Sequence, residues 1–180
     1  HDMSKNPPSR YHPLLVSLHW LVVILVFAAF ALGKFMSGQP NDDAKIPFLW
    51  LHMLLGIVTL FVIVVRFIAR LRLPKPPRAT TGNALLDKIG VLVHYSLYVF
   101  VLLMSISGIS LSMQAGLTPI VFGGSGASLP ADFYAFNARI FHGFIAPALL
   151  ILVLLHVGAA FYHQLVLKDN LLARMWYGKS

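Results

Sequence analysis

Polar residues along this chain are bunched, and between the bunches lie four stretches that are almost continuously apolar. They run from about Leu14 to Gly33, Phe48 to Ala69, Leu85 to Met113 and Ala138 to Leu167. Each reaches the roughly 20 apolar residues that an α-helix needs to cross the hydrocarbon core of a bilayer. RLRLPKPPRATTGN separates the second stretch from the third, and its prolines end the second helix. TPIVFGGSGASLPADF separates the third from the fourth, a Gly/Ser/Pro loop with room for one short interfacial piece. With no internal repeat and no second domain in view, residues 1–180 read as a single all-α integral membrane domain, a four-helix bundle. His1, Asp2 and Met3 read as a cloning scar. The first apolar run is longer than the apolar core of a signal peptide, about 7–15 residues, so it is expected to remain as a span.

Composition sharpens this picture. Hydrophobic residues make up 58% of the chain and charged residues 11%, against about 25% charged in soluble domains; the mean hydropathy is +0.77. There is no cysteine, so disulfides and thiolate metal sites are excluded, and any bound group must be held by His, Asp, Glu or Met. A net charge of +8 raises nucleic acid as a partner, but the placement of the charge removes that reason. Eleven of the fourteen Lys and Arg residues lie at the N-terminus (Lys5, Arg10), in or beside the second linker (Arg66, Arg70, Arg72, Lys75, Arg78, Lys88) or in the tail (Lys168, Arg174, Lys179). Lys34, Lys45 and Arg139 fall on the other side. The positive-inside rule then puts both termini in the cytoplasm. The charge reports topology, and no nucleic-acid partner is expected.

Chemistry enters with the histidines, three of which, His142, His156 and His163, sit on the fourth stretch. Ionisable groups inside a membrane are costly and point to function by default. The first span runs outward, so His19 lies a little over one turn inside the cytoplasmic face; the second runs inward, so His52 lies about one turn below the outer face. His142 is near the outer face. His156 follows 14 residues later, roughly 21 Å deeper and about four full turns on, hence on the same side of the helix. Depth pairs His19 with His156 near the inside and His52 with His142 near the outside. Two histidine pairs on facing helices suit a cofactor in a bundle core, and bis-imidazole ligation of two b haems fits best. Gly56, one turn after His52, lets a flat ring approach the backbone, and Gly108 and Gly158 offer the same on the third and fourth spans. Arg66 shares the face of His52 at the inner depth and is a candidate partner for a haem propionate. Plainer readings stand beside these. A single intramembrane histidine often bonds to a neighbouring helix, glycines serve helix packing, and Arg66 can snorkel to the interface. A zinc site or proton pathway also uses histidines, although the spans hold no acid besides Asp87 at an inner end.

In order along the chain, SLHWLVV on the first span, LHMLLGI on the second, VVRFIARLRLPKPP leaving it and HYSLYVFVLLMSISG on the third resemble the bacterial cytochrome b561 family. FHGF, LLHVGAAFYH and LKDNLLARM on the fourth span and tail complete the set, which covers nearly everything from Tyr11 onward. The resemblance implies a bacterial cytoplasmic (inner) membrane cytochrome with two b haems. It implies that the first span and the second histidine of the fourth hold one haem, at His19 and His156. The other falls to His52 and His142. It further implies electron transfer between a periplasmic donor and ubiquinone as substrate, with superoxide the donor in some members.

Two functional readings follow. One is an oxidoreductase that takes electrons from superoxide or another periplasmic reductant and reduces ubiquinone. The other is a non-enzymatic electron-transfer subunit docked to a dehydrogenase or a soluble cytochrome. Lys34, Lys45 and Arg139 are either attractors of an outer anion or ordinary interfacial anchors, the second being the simpler reading. His94, at a depth similar to His19, competes for the inner iron; its expected role is a hydrogen bond to a propionate or to quinone. His163, seven residues after His156, is a quinone candidate, because a histidine can hold a carbonyl and supply a proton near neutral pH; the plainer reading has it facing headgroups at the helix end. Lys168, with Lys88 a second candidate, would offset negative charge on the quinone.

Overall fold

The structure, a computed structural model, describes residues 6–179; His1, Asp2, Met3 and Lys5 lie outside the described residues. Six α-helices follow in order: α1 (Pro13–Ser37), α2 (Ile46–Arg72), α3 (Ala84–Ala115), α4 (Leu117–Val121), α5 (Asn137–Phe161) and α6 (Leu171–Arg174). Short 3-10 turns at Asp43–Lys45 and Phe133–Ala135 lead into α2 and α5, and α5 runs on into a π-helical stretch, Tyr162–Leu167. Four helical segments are long and apolar enough to cross a membrane. They overlie the four apolar stretches and extend each by a few residues at its ends.

Local chemistry sets these boundaries. His12 caps α1 by accepting from the Leu14 amide at 3.1 Å, and Pro13 occupies the first turn, where no N–H is needed. Asn83 caps α3 through the amides of Leu85 and Leu86. Asp87 is spent on the same cap, accepting from the amide and hydroxyl of Thr81 at 2.8 Å each, so this acid belongs to the helix start. Leu73 ends α2 in an extended conformation, as a residue before proline must. Gly116 ends α3 at φ +62°, a left-handed position that a side chain would strain.

Backbone packing is uneven. α1 lies along α2, α3 lies along α5, and α2 joins the two pairs by packing on α3, while α5 packs chiefly on α3. The end remote from the chain termini, called outer, is sealed by an apolar plug of Met36, Leu49, Leu117, Val121, Leu129 and Phe133, for which α4 and the segment between α4 and α5 supply four residues. Ile63, Val101 and Leu149 pack at mid-depth. The helix faces that remain point outward with bulky apolar groups; Phe61 is 70% and Phe144 72% exposed. A surface of that kind is stable against lipid and not against water.

The opposite end, which holds both chain termini and is called inner, is closed by the tail. Arg10 donates to the carbonyls of Ala173 and Lys179, the Tyr11 amide to Arg174, and the Trp20 indole to Met175 at 2.9 Å. Ser17 and Tyr177 share a hydrogen bond of 2.6 Å, and Arg174 donates to Pro77 in the linker. The N-terminal segment, the linker and the tail thus form one layer.

Candidate functional site

The gap between α5 and the α1–α2 pair is bridged by imidazoles. His52 on α2 faces His142 on α5 with ring centroids 6.1 Å apart. Deeper along α5, His156 faces His19 on α1, also at 6.1 Å. A first-row metal–imidazole bond is about 2.0 Å and a ring centroid sits about 1.1 Å behind its nitrogen, so two rings on opposite sides of one iron have centroids about 6.2 Å apart. Both pairs match that span. His94 on α3 lies 5.1 Å from His156, about 1 Å short of that span. Among the described residues no three His, Asp or Glu side chains gather around a common point. His52 and His142 form one facing pair and His19 and His156 another, with His94 beside the second; facing pairs suit a metal that brings its own equatorial ligands.

Each outer ring is seated on a glycine of the next helix. A Cβ at Gly33 of α1 would lie 3.0 Å from His52 Cε1, and one at Gly108 of α3 would lie 3.3 Å from His142 Cε1. This corrects the sequence expectation for Gly108, which makes room for the histidine itself. Gly33 was not singled out by sequence, because its partner is on another helix. A Cβ at Gly56, one turn from His52, would meet nothing within 4 Å, so space is open there; Gly158 is equally open but exposed and two residues from His156, on nearly the opposite face of α5, which corrects its expected place beside the ring. His142 Nδ1 is 2.8 Å from Ser107 Oγ, whereas His52 Nδ1 is buried without a hydrogen-bond partner.

Around the inner pair the surroundings are polar. Arg66 is buried, its Nη1 donating to the Tyr98 hydroxyl at 2.8 Å and its guanidinium lying 5.3 Å from that ring. Its Nε is buried and has no partner. A buried guanidinium with one donor unspent is costly and fits an acidic group in the adjoining space. Snorkelling, the plainer reading of Arg66, is not what the structure shows.

His163 is buried, and its Nδ1 lies 2.5 Å from Asp169 Oδ2. A carboxylate only accepts, so Nδ1 carries the proton and Nε2 the free lone pair. The backbone is bent to make this contact: Lys168 and Asn170, on either side of Asp169, both take left-handed conformations, φ 53° and 56°. Each costs roughly 1–2 kcal/mol for a residue with a Cβ. The headgroup-facing reading of His163 does not hold, and Asp169 escaped the sequence reading because it lies beyond the last span. Lys168 and Lys88 are exposed at this end. At the outer end Lys45 is also corrected. It is buried, donates to Gln39 O and Asn41 Oδ1 and lies over the Phe133 ring, so it ties the loops and is not a free cation. Lys34 is exposed, and Arg139 packs over Tyr134.

Relatives align over almost the whole chain. "Cytochrome b561 homolog 2" of Escherichia coli is 31% identical, the alignment covering 97% of this chain and 95% of the relative. "Probable superoxide oxidase CybB" of Yersinia pestis is 28% identical over 92% and 95%, and "Cytochrome b562" of Cereibacter sphaeroides 29% over 96% and 98%. The family described as prokaryotic cytochrome b561 matches residues 10–178, from the segment before α1 to the docked tail. With four spans and paired intramembrane imidazoles, the chain belongs to the prokaryotic cytochrome b561 family of membrane b-type electron-transfer proteins.

Proposed function

We propose that this protein is a di-haem cytochrome of the bacterial cytoplasmic membrane, both termini in the cytoplasm, that takes electrons from a periplasmic donor and reduces ubiquinone. The observation that carries it is the equal 6.1 Å span of two imidazole pairs along one helix, α5. In this reading His52 and His142 hold the outer iron and His19 and His156 the inner. When bound, b haem supplies the one-electron chemistry that no side chain here can. Gly56 leaves room for the flat ring, and Arg66 neutralises an acidic arm with its unspent Nε–H. His94, beside His156, serves as a hydrogen-bond donor to the same acidic group or to quinone.

The similarity to the probable superoxide oxidase of Yersinia pestis makes superoxide the donor of choice. Two superoxide anions release two electrons and leave as dioxygen; ubiquinone takes those electrons with two protons and becomes ubiquinol. The protons must come from the cytoplasmic end, where His163 sits. Held at Nδ1 by Asp169, its ring has Nε2 left to engage a quinone oxygen and relay a proton. Lys168 beside it offsets negative charge on the reduced ring. Purified protein given superoxide and a soluble ubiquinone, with no other protein, turns over in this reading; failure to do so assigns the chain to the subunit role. His163→Leu retains both haems and their reduction by an artificial donor, yet slows reoxidation by the ubiquinone analogue about tenfold or more, the loss of one positioned acid–base group. Unchanged reoxidation across a full quinone titration from pH 6 to 8 removes His163 from the site.

A further inference from the structure

Ser107 makes two contacts with one hydroxyl. Its Oγ donates to the Met104 carbonyl one turn back, at 2.9 Å, and lies 2.8 Å from His142 Nδ1. A hydroxyl has one proton and a carbonyl can only accept. Two oxygens 2.9 Å apart need that proton between them, so Oγ has none to give to the imidazole. Against His142 it must accept. The Met104 carbonyl faces the His142 ring as well, so a bare Nδ1 lone pair would meet acceptors on both sides. His142 is therefore the Nδ1–H tautomer, with its lone pair on Nε2.

We infer that Ser107 is a positioning residue of the outer haem, selecting the ligating nitrogen of His142 and raising its donor strength. The inference rests on the proposed ligation by His142. An imidazole that donates from Nδ1 gains electron density at Nε2, and a stronger axial donor favours the ferric iron. The hydrogen bond thus lowers the potential of the outer haem. The ring is held by Ser107 on its edge, and the missing side chain at Gly108 leaves room for Cε1, which a Cβ there would approach to 3.3 Å. Adjacent residues of α3 perform both tasks. His52 offers the contrast. It leans on Gly33 in the same way, but its Nδ1 is buried and unpartnered. A backbone carbonyl faces each ring, Ala29 at His52 and Met104 at His142, and only His142 has a hydroxyl partner as well.

The test is a spectroelectrochemical titration of the purified di-haem protein, with the outer haem defined as the one that His142→Ala removes. Ser107→Ala is expected to retain both haems, shift the outer potential upward and leave the inner unchanged. The low-spin EPR g values of the outer haem, which report axial donor strength, should move with it. Ser107→Thr, which keeps a hydroxyl able to bond back to the preceding turn, is expected to restore the native potential and g values. Loss of the outer haem in Ser107→Ala with retention at native potential in Ser107→Thr also supports the inference, because only the hydroxyl distinguishes the two. Native potentials in Ser107→Ala overturn it, as does a shift confined to the inner haem or loss of the outer haem in both variants. Two low-spin haems in His142→Ala overturn the ligation itself, a result independent of any Ser107 variant.

Discussion

The outer and inner halves of the bundle present the same pair of imidazoles at the same 6.1 Å and surround them differently. Outside, the rings are wedged: each rests on a glycine, one is tied to a serine, and an apolar plug closes the end. Inside, the rings share their space with a third histidine, a buried arginine and a tyrosine, and a polar layer of tail and linker lies beyond. The outer surroundings, as far as the described residues go, are glycines, one serine and apolar groups, which suit fixing a cofactor and excluding water. The inner surroundings hold several side chains able to move a proton. An electron can enter through the outer half without a proton, while quinone reduction needs both, so the polar groups are concentrated where the second kind of chemistry is proposed.

The largest expected effect is loss of one half without the other. His52→Ala or His142→Ala should remove the outer haem and spare the inner, and His19→Ala or His156→Ala the reverse, with His94→Ala keeping both. Haem-to-protein ratios on the purified variants measure this. Loss of a haem in His94→Ala with both retained in His19→Ala would break the inner pairing.

A smaller effect separates the steric seat from the ligand. Gly33→Val or Gly108→Val drives a branched side chain into a space already within 3.0–3.3 Å of an outer ring at the first added carbon. Overpacking of this kind costs about 1–3 kcal/mol, enough to lower outer-haem occupancy by about tenfold or more while the inner site stays filled. Equal loss at both sites would mean that the bundle as a whole had loosened. Differential haem release during mild detergent challenge is a suitable measurement.

The smallest effect belongs to the inner cover. Arg10→Ala removes hydrogen bonds to Ala173 and Lys179, and the loss is expected to be about 1–3 kcal/mol, felt by the tail and little by the spans. Faster amide exchange over residues 171–179 with unchanged exchange in α2 and α3 would show it. Uniform acceleration would make the tail part of the core, and the contrast between a fixed outer end and a layered inner end would weaken.

Runs of apolar residues determined the four spans by themselves, because a backbone in hydrocarbon has to satisfy its own hydrogen bonds and a helix does so locally. The same regularity made His142 and His156 legible as one face of one helix, and grouped His19 and His52 with them by depth. What sequence could not supply were contacts made sideways between helices. Gly33 under His52, Tyr98 on Arg66 and Ser107 on His142 join residues separated by tens of positions, and no local pattern encodes such pairings. His19 and His94 share a depth in the sequence, and only the tertiary structure gives their different distances to His156, 6.1 and 5.1 Å. The fate of Lys45 and Asp169 was decided by loop and tail geometry, where left-handed residues and caged side chains override what exposure near a span end would predict. Hydrophobic burial in lipid acts on each helix singly, whereas the angle and rotation at which helices meet are set by packing of all of them together.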